Sequence, residues 1–148
     1  MIKVIVNFNI KNNWTKLQIE KIVRVVSQKE EKVAGVVEVN VIGDKEMSEI
    51  NGRYRGKNYP TDVLSFAWQE DKKIKSKMLG QIYLCFPQVI RQAKEYKISA
   101  QEELTRMLSH GLLHLVGYDH QTDTQAKKMF KLQENIIKNL GYVPTNFS

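Results

Sequence analysis

SAQEELTRMLSHGLLHLVGYDH, residues 99–120, carries an apolar repeat, a helix start, a helix stop and every histidine of the chain. Ser99 followed three residues later by Glu102 is a capping-box pattern, which satisfies the first free backbone N–H groups of a helix. Leu104, Met107, Leu108 and Leu112 then recur at the spacing of one helical face, and the pattern continues to Val116. Gly117 follows as the residue best able to adopt the left-handed conformation that ends a helix.

Working outward, the segment before it holds Pro87, suited to the first turn of another helix, with Val89, Ile90, Ala93 and Tyr96 on one side. Leu79 to Cys85 and Val63 to Trp68 read as strands that can pair as a hairpin. Val37, Val39 and Val41 alternate with polar residues in another strand, and Ile2 to Phe8 is β-branched and strand-like. Thr15 and Gln18 form a capping box for a helix running to about Lys29, with Leu17, Ile22, Val23 and Val26 at helical spacing. Asp44 is the expected cap of a short helix with Met47 and Ile50 inward, followed by a loop from Arg53 to Asp62. On the C-terminal side, Thr122 or Asp123 caps a last helix with Met129, Leu132, Ile136 and Leu140 inward, and Gly141 stops it. The order β-α-β-α-β-β-α-α-α predicts a single α/β (α+β) domain over residues 1–148, with one mixed four-stranded sheet and about five helices.

A chain of 148 residues can bury a real core, since domains of this size hide roughly 70% of the surface of the unfolded chain. The net charge of +7 favours an anionic partner such as nucleic acid, although charge alone does not establish one. Cys85 is the single cysteine, so no intrachain disulfide can form, which fits a reducing, cytoplasmic setting. MIKVIVNFNI lacks the pattern of a signal peptide, and no uncharged run approaches the roughly 20 residues that span a bilayer, so no membrane partner is expected.

All three histidines lie within the segment 110–120. His110 and His114 are one helical turn apart and project from the same face, and a turn at Gly117 lets His120 come back as a third ligand. Three neutral imidazoles suit one zinc ion, while other divalent transition metals satisfy the same donor type. A catalytic zinc keeps its fourth position open, whereas a structural one would need completion, here by Cys85 or Asp119. The spacing resembles that of the metzincin proteases, but their general-base glutamate is replaced by Gly111, which disfavours peptide hydrolysis. Gly111 is also expected to open space beside the metal for a bulky substrate.

Two blocks resemble the YbeY family of bacterial single-strand-specific endoribonucleases. HGLLHLVGYDH, 110–120, reproduces the family pattern H-G-x-L-H-L-x-G-Y-D-H, and YRGKNYPTDVLSF, 54–66, is similar to Y-R-x-K-D-x-P-T-D-V-L-S-F. The chain departs from the family at Asn58 and Gln81, where Asp is usual, and at Ala67, where Pro is common. The resemblance implies a mixed four-stranded sheet, metal ligation by His110, His114 and His120, and a functional role for Arg55. It also implies action on ribosomal RNA, at the 16S rRNA 3′ end, and in ribosome quality control, with the ribosome or its proteins as partners.

Arg55 is the candidate for stabilising charge on a scissile phosphate, with His114 as the second catalytic candidate. Lys57 and the basic run Lys72, Lys73, Lys75 and Lys77 are candidate RNA contacts. Asp119 is a candidate for orienting a ligating histidine, and Thr61, Asp62 and Ser65 for supporting the strand beside the metal. Tyr54 and Tyr59 either stack on unpaired bases or pack against the domain, and packing is expected for one of them. The competing readings are a metal-dependent endoribonuclease, a non-catalytic RNA-binding assembly protein with a structural zinc, and, disfavoured, a metalloprotease.

Overall fold

The computed structural model describes residues 2–68 and 77–142. Along the chain run β1 (Ile2–Phe8), α1 (Lys16–Lys29), β2 (Gly35–Ile42), α2 (Asp44–Arg55), β3 (Val63–Ala67), β4 (Met78–Cys85), α3 (Phe86–Tyr96), α4 (Ala100–Leu115) and α5 (Asp123–Asn139). The expected element order is present. The four strands form one sheet in the order β1-β2-β4-β3. β1 and β4 both run parallel to β2, whereas β3 pairs antiparallel with β4, Val63 opposite Leu84 and Ala67 opposite Gly80.

Strand alternation divides the apolar residues between two faces. On one face Val37, Val39 and Val41 of β2 and Ile82 and Leu84 of β4 meet Leu104, Leu108 and Leu112 of α4 and Ile22, Val23 and Val26 of α1. Met129 and Ile136 bring α5 into the same cluster. Fully burying a side chain of this size contributes about 1.5–3 kcal/mol, so the apolar stripe of α4 is sufficient reason for its place on the sheet. On the other face Ile42, Leu64 and Cys85 meet Met47 of α2.

α4 and α5 are also tied by a buried ion pair. Arg106 Nη1 donates to both carboxylate oxygens of Glu134 at 2.7 and 2.6 Å, and Arg106 Nη2 to Glu102 at 3.1 Å. Such a pair adds little net stability, but losing one partner strands a buried charge at a cost of about 3–5 kcal/mol. It therefore fixes how α5 sits on α4.

The helix starts agree with expectation except at α2, and at α4 only half of the expected capping box forms. Thr15–Gln18 and Thr122–Gln125 form complete capping boxes, with Thr122 rather than Asp123 as the cap. Ser99 accepts from the Glu102 N–H. At α2 the cap is Gly43, and Asp44 is the first helical residue. Its carboxylate instead accepts two hydrogen bonds from Arg91 at 3.0 and 2.7 Å, which hold it below the usual carboxylate pKa. α2 also continues through Arg55 to a left-handed Gly56, φ +69°, so Arg53 and Arg55 are helical rather than in the loop.

Candidate metal centre

α4 carries His110 and His114 on its last turns, and Gly117, φ +100°, reverses the chain behind them. The N–H of Gly117 returns to the His114 carbonyl and that of Tyr118 to the Leu113 carbonyl, so the turn is held by the helix end itself. Asp119 Oδ1 accepts from the His120 backbone N–H at 2.7 Å and shapes the last step of the chain toward the cluster. One ligand nitrogen from each of His110, His114 and His120 then lies within 4.8 Å of the other two. His110 and His114 are half-buried and His120 is exposed, so the group opens to solvent on one side.

The ring hydrogens are committed away from the centre. His114 Nδ1 lies 2.8 Å from the Tyr118 carbonyl, which can only accept, so Nδ1 carries the hydrogen and Nε2 the lone pair of the neutral ring. His110 Nδ1 lies 3.1 Å from Gln133 Oε1 of α5, an acceptor, with the same consequence. The two Nε2 atoms are 2.9 Å apart. Two lone pairs facing each other at that distance repel unless a cation stands between them. Burial lowers the pKa of both His110 and His114, which favours the neutral, ligating form. The donor chemistry therefore fits a divalent transition metal.

Among the described residues, the metal-competent group stops at these three side chains. Cys85 does not complete it. The thiol is buried on the opposite face of the sheet, beside Asp44, and burial pushes its pKa up to about 12, the reverse of a metal-bound thiolate. Three protein nitrogens leave one position of a tetrahedral ion open, the arrangement of catalytic rather than structural sites.

Gly111 requires a correction. It is buried and points at the sheet, not at the metal: an added Cβ would lie 3.0 Å from Ser65 Oγ and 3.2 Å from Val63 Cγ2. Its carbonyl accepts from Ser65 Oγ at 3.0 Å. The glycine lets α4 approach β3 closely, and this approach sets the height of the two helical histidines over the strand. Asp62, at the entry to β3, caps its own strand by accepting from the Val63 N–H at 2.7 Å.

The other sequence-stretch candidates are dispersed. Arg55 and Lys57 are exposed at the end of α2 and just beyond it, and among the described residues Arg55 has no hydrogen bond or ion pair. Tyr54 packs on Phe66, ring centroids 5.0 Å apart, while remaining largely exposed, as does Tyr59. Lys77 lines a cleft with Lys3, Lys16 and Arg24 at the start of β1 and β2. Lys72, Lys73 and Lys75 lie outside the described residues. Gln81 faces away from the histidines and donates to Glu38 at 3.4 Å, so the departure at 81 does not touch the centre. Gln133 is the residue that sequence reading missed.

Comparison with known proteins agrees with this construction. The family described as "Endoribonuclease YbeY" matches residues 5–141. A Malacoplasma penetrans protein named Endoribonuclease YbeY is 42% identical over 75% of this chain and 74% of its own length. One of that name from Bacillus licheniformis is 38% identical over 84% of both chains. The solution structure of a Thermotoga maritima protein superposes with a TM-score of 0.64 at 29% identity, covering 95% of this chain and 89% of the other. The family match spans nearly all of the sheet and every helix, including the three histidines, and the chain belongs to the endoribonuclease YbeY family.

Proposed function

We propose that this protein is a zinc-dependent endoribonuclease that cleaves single-stranded RNA in the cytoplasm, acting in ribosomal RNA maturation at the 16S rRNA 3′ end and in ribosome quality control. The observation that carries the metal-dependent reading is the convergence of three imidazole nitrogens within 4.8 Å on an open side of the fold. His110, His114 and His120 hold the ion. Zinc in such a site supplies Lewis acidity toward a phosphate oxygen or a water molecule.

The chain's own residues do the rest. Gln133 and the Tyr118 carbonyl keep the Nε2 lone pairs of His110 and His114 directed inward. Arg55, exposed at the end of α2, pairs its planar guanidinium with the equatorial oxygens of the scissile phosphate. Lys57 and the basic turn at Lys72, Lys73, Lys75 and Lys77 contact phosphates along the strand, in keeping with the net charge of +7. Asp119 fixes the backbone of His120 rather than a ligand ring.

The deciding experiment is metal analysis of the purified protein together with cleavage of matched single-stranded and duplex RNA, with and without chelator. Chelator-sensitive cutting of the single strand is expected, and the ends produced, 5′-phosphate or 2′,3′-cyclic phosphate, identify the attacking group. Metal-loaded protein that binds RNA without cutting it would leave a structural zinc in an assembly protein.

A further inference from the structure

Between α3, α4 and α5 lies a recess of about 390 Å³ that shares a wall with the metal centre. The shared residue is Gln133, which lines the recess and also holds His110 Nδ1. Asp62, on the same rim, is close enough for its charge to act on His110. A group seated in the recess is therefore one residue, Gln133, away from His110.

The walls and the floor of the recess differ in chemistry. Met107 of α4 and Phe130 of α5 supply apolar walls. In the floor, Glu103 is only 1% exposed, and its Oε2 accepts from Gln92 Nε2 at 2.8 Å. The nearby cation, Arg106, is engaged by Glu134 and Glu102. Apolar walls over the Glu103 carboxylate, with Asp62 and Glu134 also in the lining, suit a planar ring bearing N–H donors and disfavour a phosphate. The volume lies at the lower end of about 300–1,000 Å³ for ligand pockets, which admits one base with part of its sugar.

We propose that this recess receives one unpaired nucleobase of the RNA, beside the phosphate at the histidine centre, and that Glu103 selects amino-bearing bases over uracil. The inference rests on the nuclease reading for its substrate class. Cytosine presents an N4 amino group where uracil presents the O4 carbonyl, and a carboxylate accepts from the first and repels the second. Phe130 and Met107 hold the ring faces without regard to identity.

The test uses the metal-loaded protein, isotope-labelled, titrated with cytidine 5′-monophosphate or uridine 5′-monophosphate. The two share phosphate and sugar, so the metal centre treats them alike. Cytidine monophosphate is expected to shift the Met107 methyl and Gln92 side-chain amide signals with about tenfold higher affinity than uridine monophosphate. Glu103→Gln, whose amide can donate to O4, is expected to erase the difference. Should that variant fail to fold, Phe130→Ala, which removes one wall, is expected to weaken the cytidine-induced shifts at Met107. Shifts absent from Met107 and Gln92, or equal or stronger binding of the uridine nucleotide, overturn the proposal. Sequencing the ends released from a random single-stranded pool separates the two readings. Cutting without depletion of uracil beside the cut removes the base pocket and leaves the nuclease, whereas absence of cutting removes the nuclease while the titration still decides the pocket.

Discussion

Gln133 Oε1 lies 3.1 Å from His110 Nδ1, so the last helix orients a side chain on the helix before it. The contact exists because the adjacent Glu134 is locked to Arg106, which fixes the turn of α5 that faces α4. Partners of this kind typically account for about 10–100-fold in metal affinity. Gln133→Ala is expected to weaken zinc binding by roughly that factor in a competitive chelator titration, with the fold intact. Unchanged affinity would mean that the helix alone orients His110.

For His114→Ala, loss of metal and of cleavage together is expected, because two remaining ligands cannot fix an ion. Metal analysis and an RNA cleavage assay on the same preparation check it. A full complement of zinc in the variant contradicts the ligand assignment.

Arg55→Ala separates binding of the metal from chemistry on the phosphate. The side chain is exposed and among the described residues makes no hydrogen bond or ion pair, so stability and metal content are expected to hold. Cleavage is expected to fall by roughly 10²–10³, the usual effect of removing one charge-stabilising donor. A wild-type rate would return Arg55 to ordinary surface.

The ligand trio was legible because its three members sit on one helix end and the turn after it, where geometry follows directly from spacing. Element order was legible for the same reason: each strand and helix carries its own period. What escaped depended on contacts between distant segments. Gln133 is 23 residues from His110, and nothing local marks it. Asp44 has the chemistry of a cap, but a bidentate arginine 47 residues away is the stronger partner. On the helix surface alone Gly111 lies near His114; only the position of β3 shows that it faces Ser65 and Val63. The strand order β1-β2-β4-β3 likewise follows from packing that no single strand encodes.

Gly111→Ala tests that close approach. Alanine raises helix propensity by about 0.8–1 kcal/mol, while overpacking a filled contact costs about 1–3 kcal/mol. The Cβ would meet Ser65 Oγ at 3.0 Å and Val63 Cγ2 at 3.2 Å, and Val63 belongs to a strand that cannot easily yield. Net destabilisation of up to about 2 kcal/mol is expected by denaturant titration, with weaker zinc binding as α4 lifts from the strand. A stabilised variant would show that the strand gives way.

The basic surface makes a prediction about salt. Each lysine or arginine that neutralises a phosphate releases condensed counterions, so affinity for single-stranded RNA should fall as salt rises, with a slope of log K against log salt near −0.7 per contact. A domain this small makes about three to five contacts, which gives a slope of roughly −2 to −3.5. Two groups of charges compete to supply it. One is the run Lys72, Lys73, Lys75 and Lys77, of which Lys77 borders a cleft shared with Lys3, Lys16 and Arg24. The other is the pair Arg55 and Lys57 at the end of α2. Neutralising the four lysines together is expected to flatten the slope and leave the metal in place, because none of the four is among the ligating residues. An unchanged slope assigns the contacts to Arg55 and Lys57, and a wild-type protein whose RNA affinity ignores salt removes the electrostatic basis for an RNA substrate altogether.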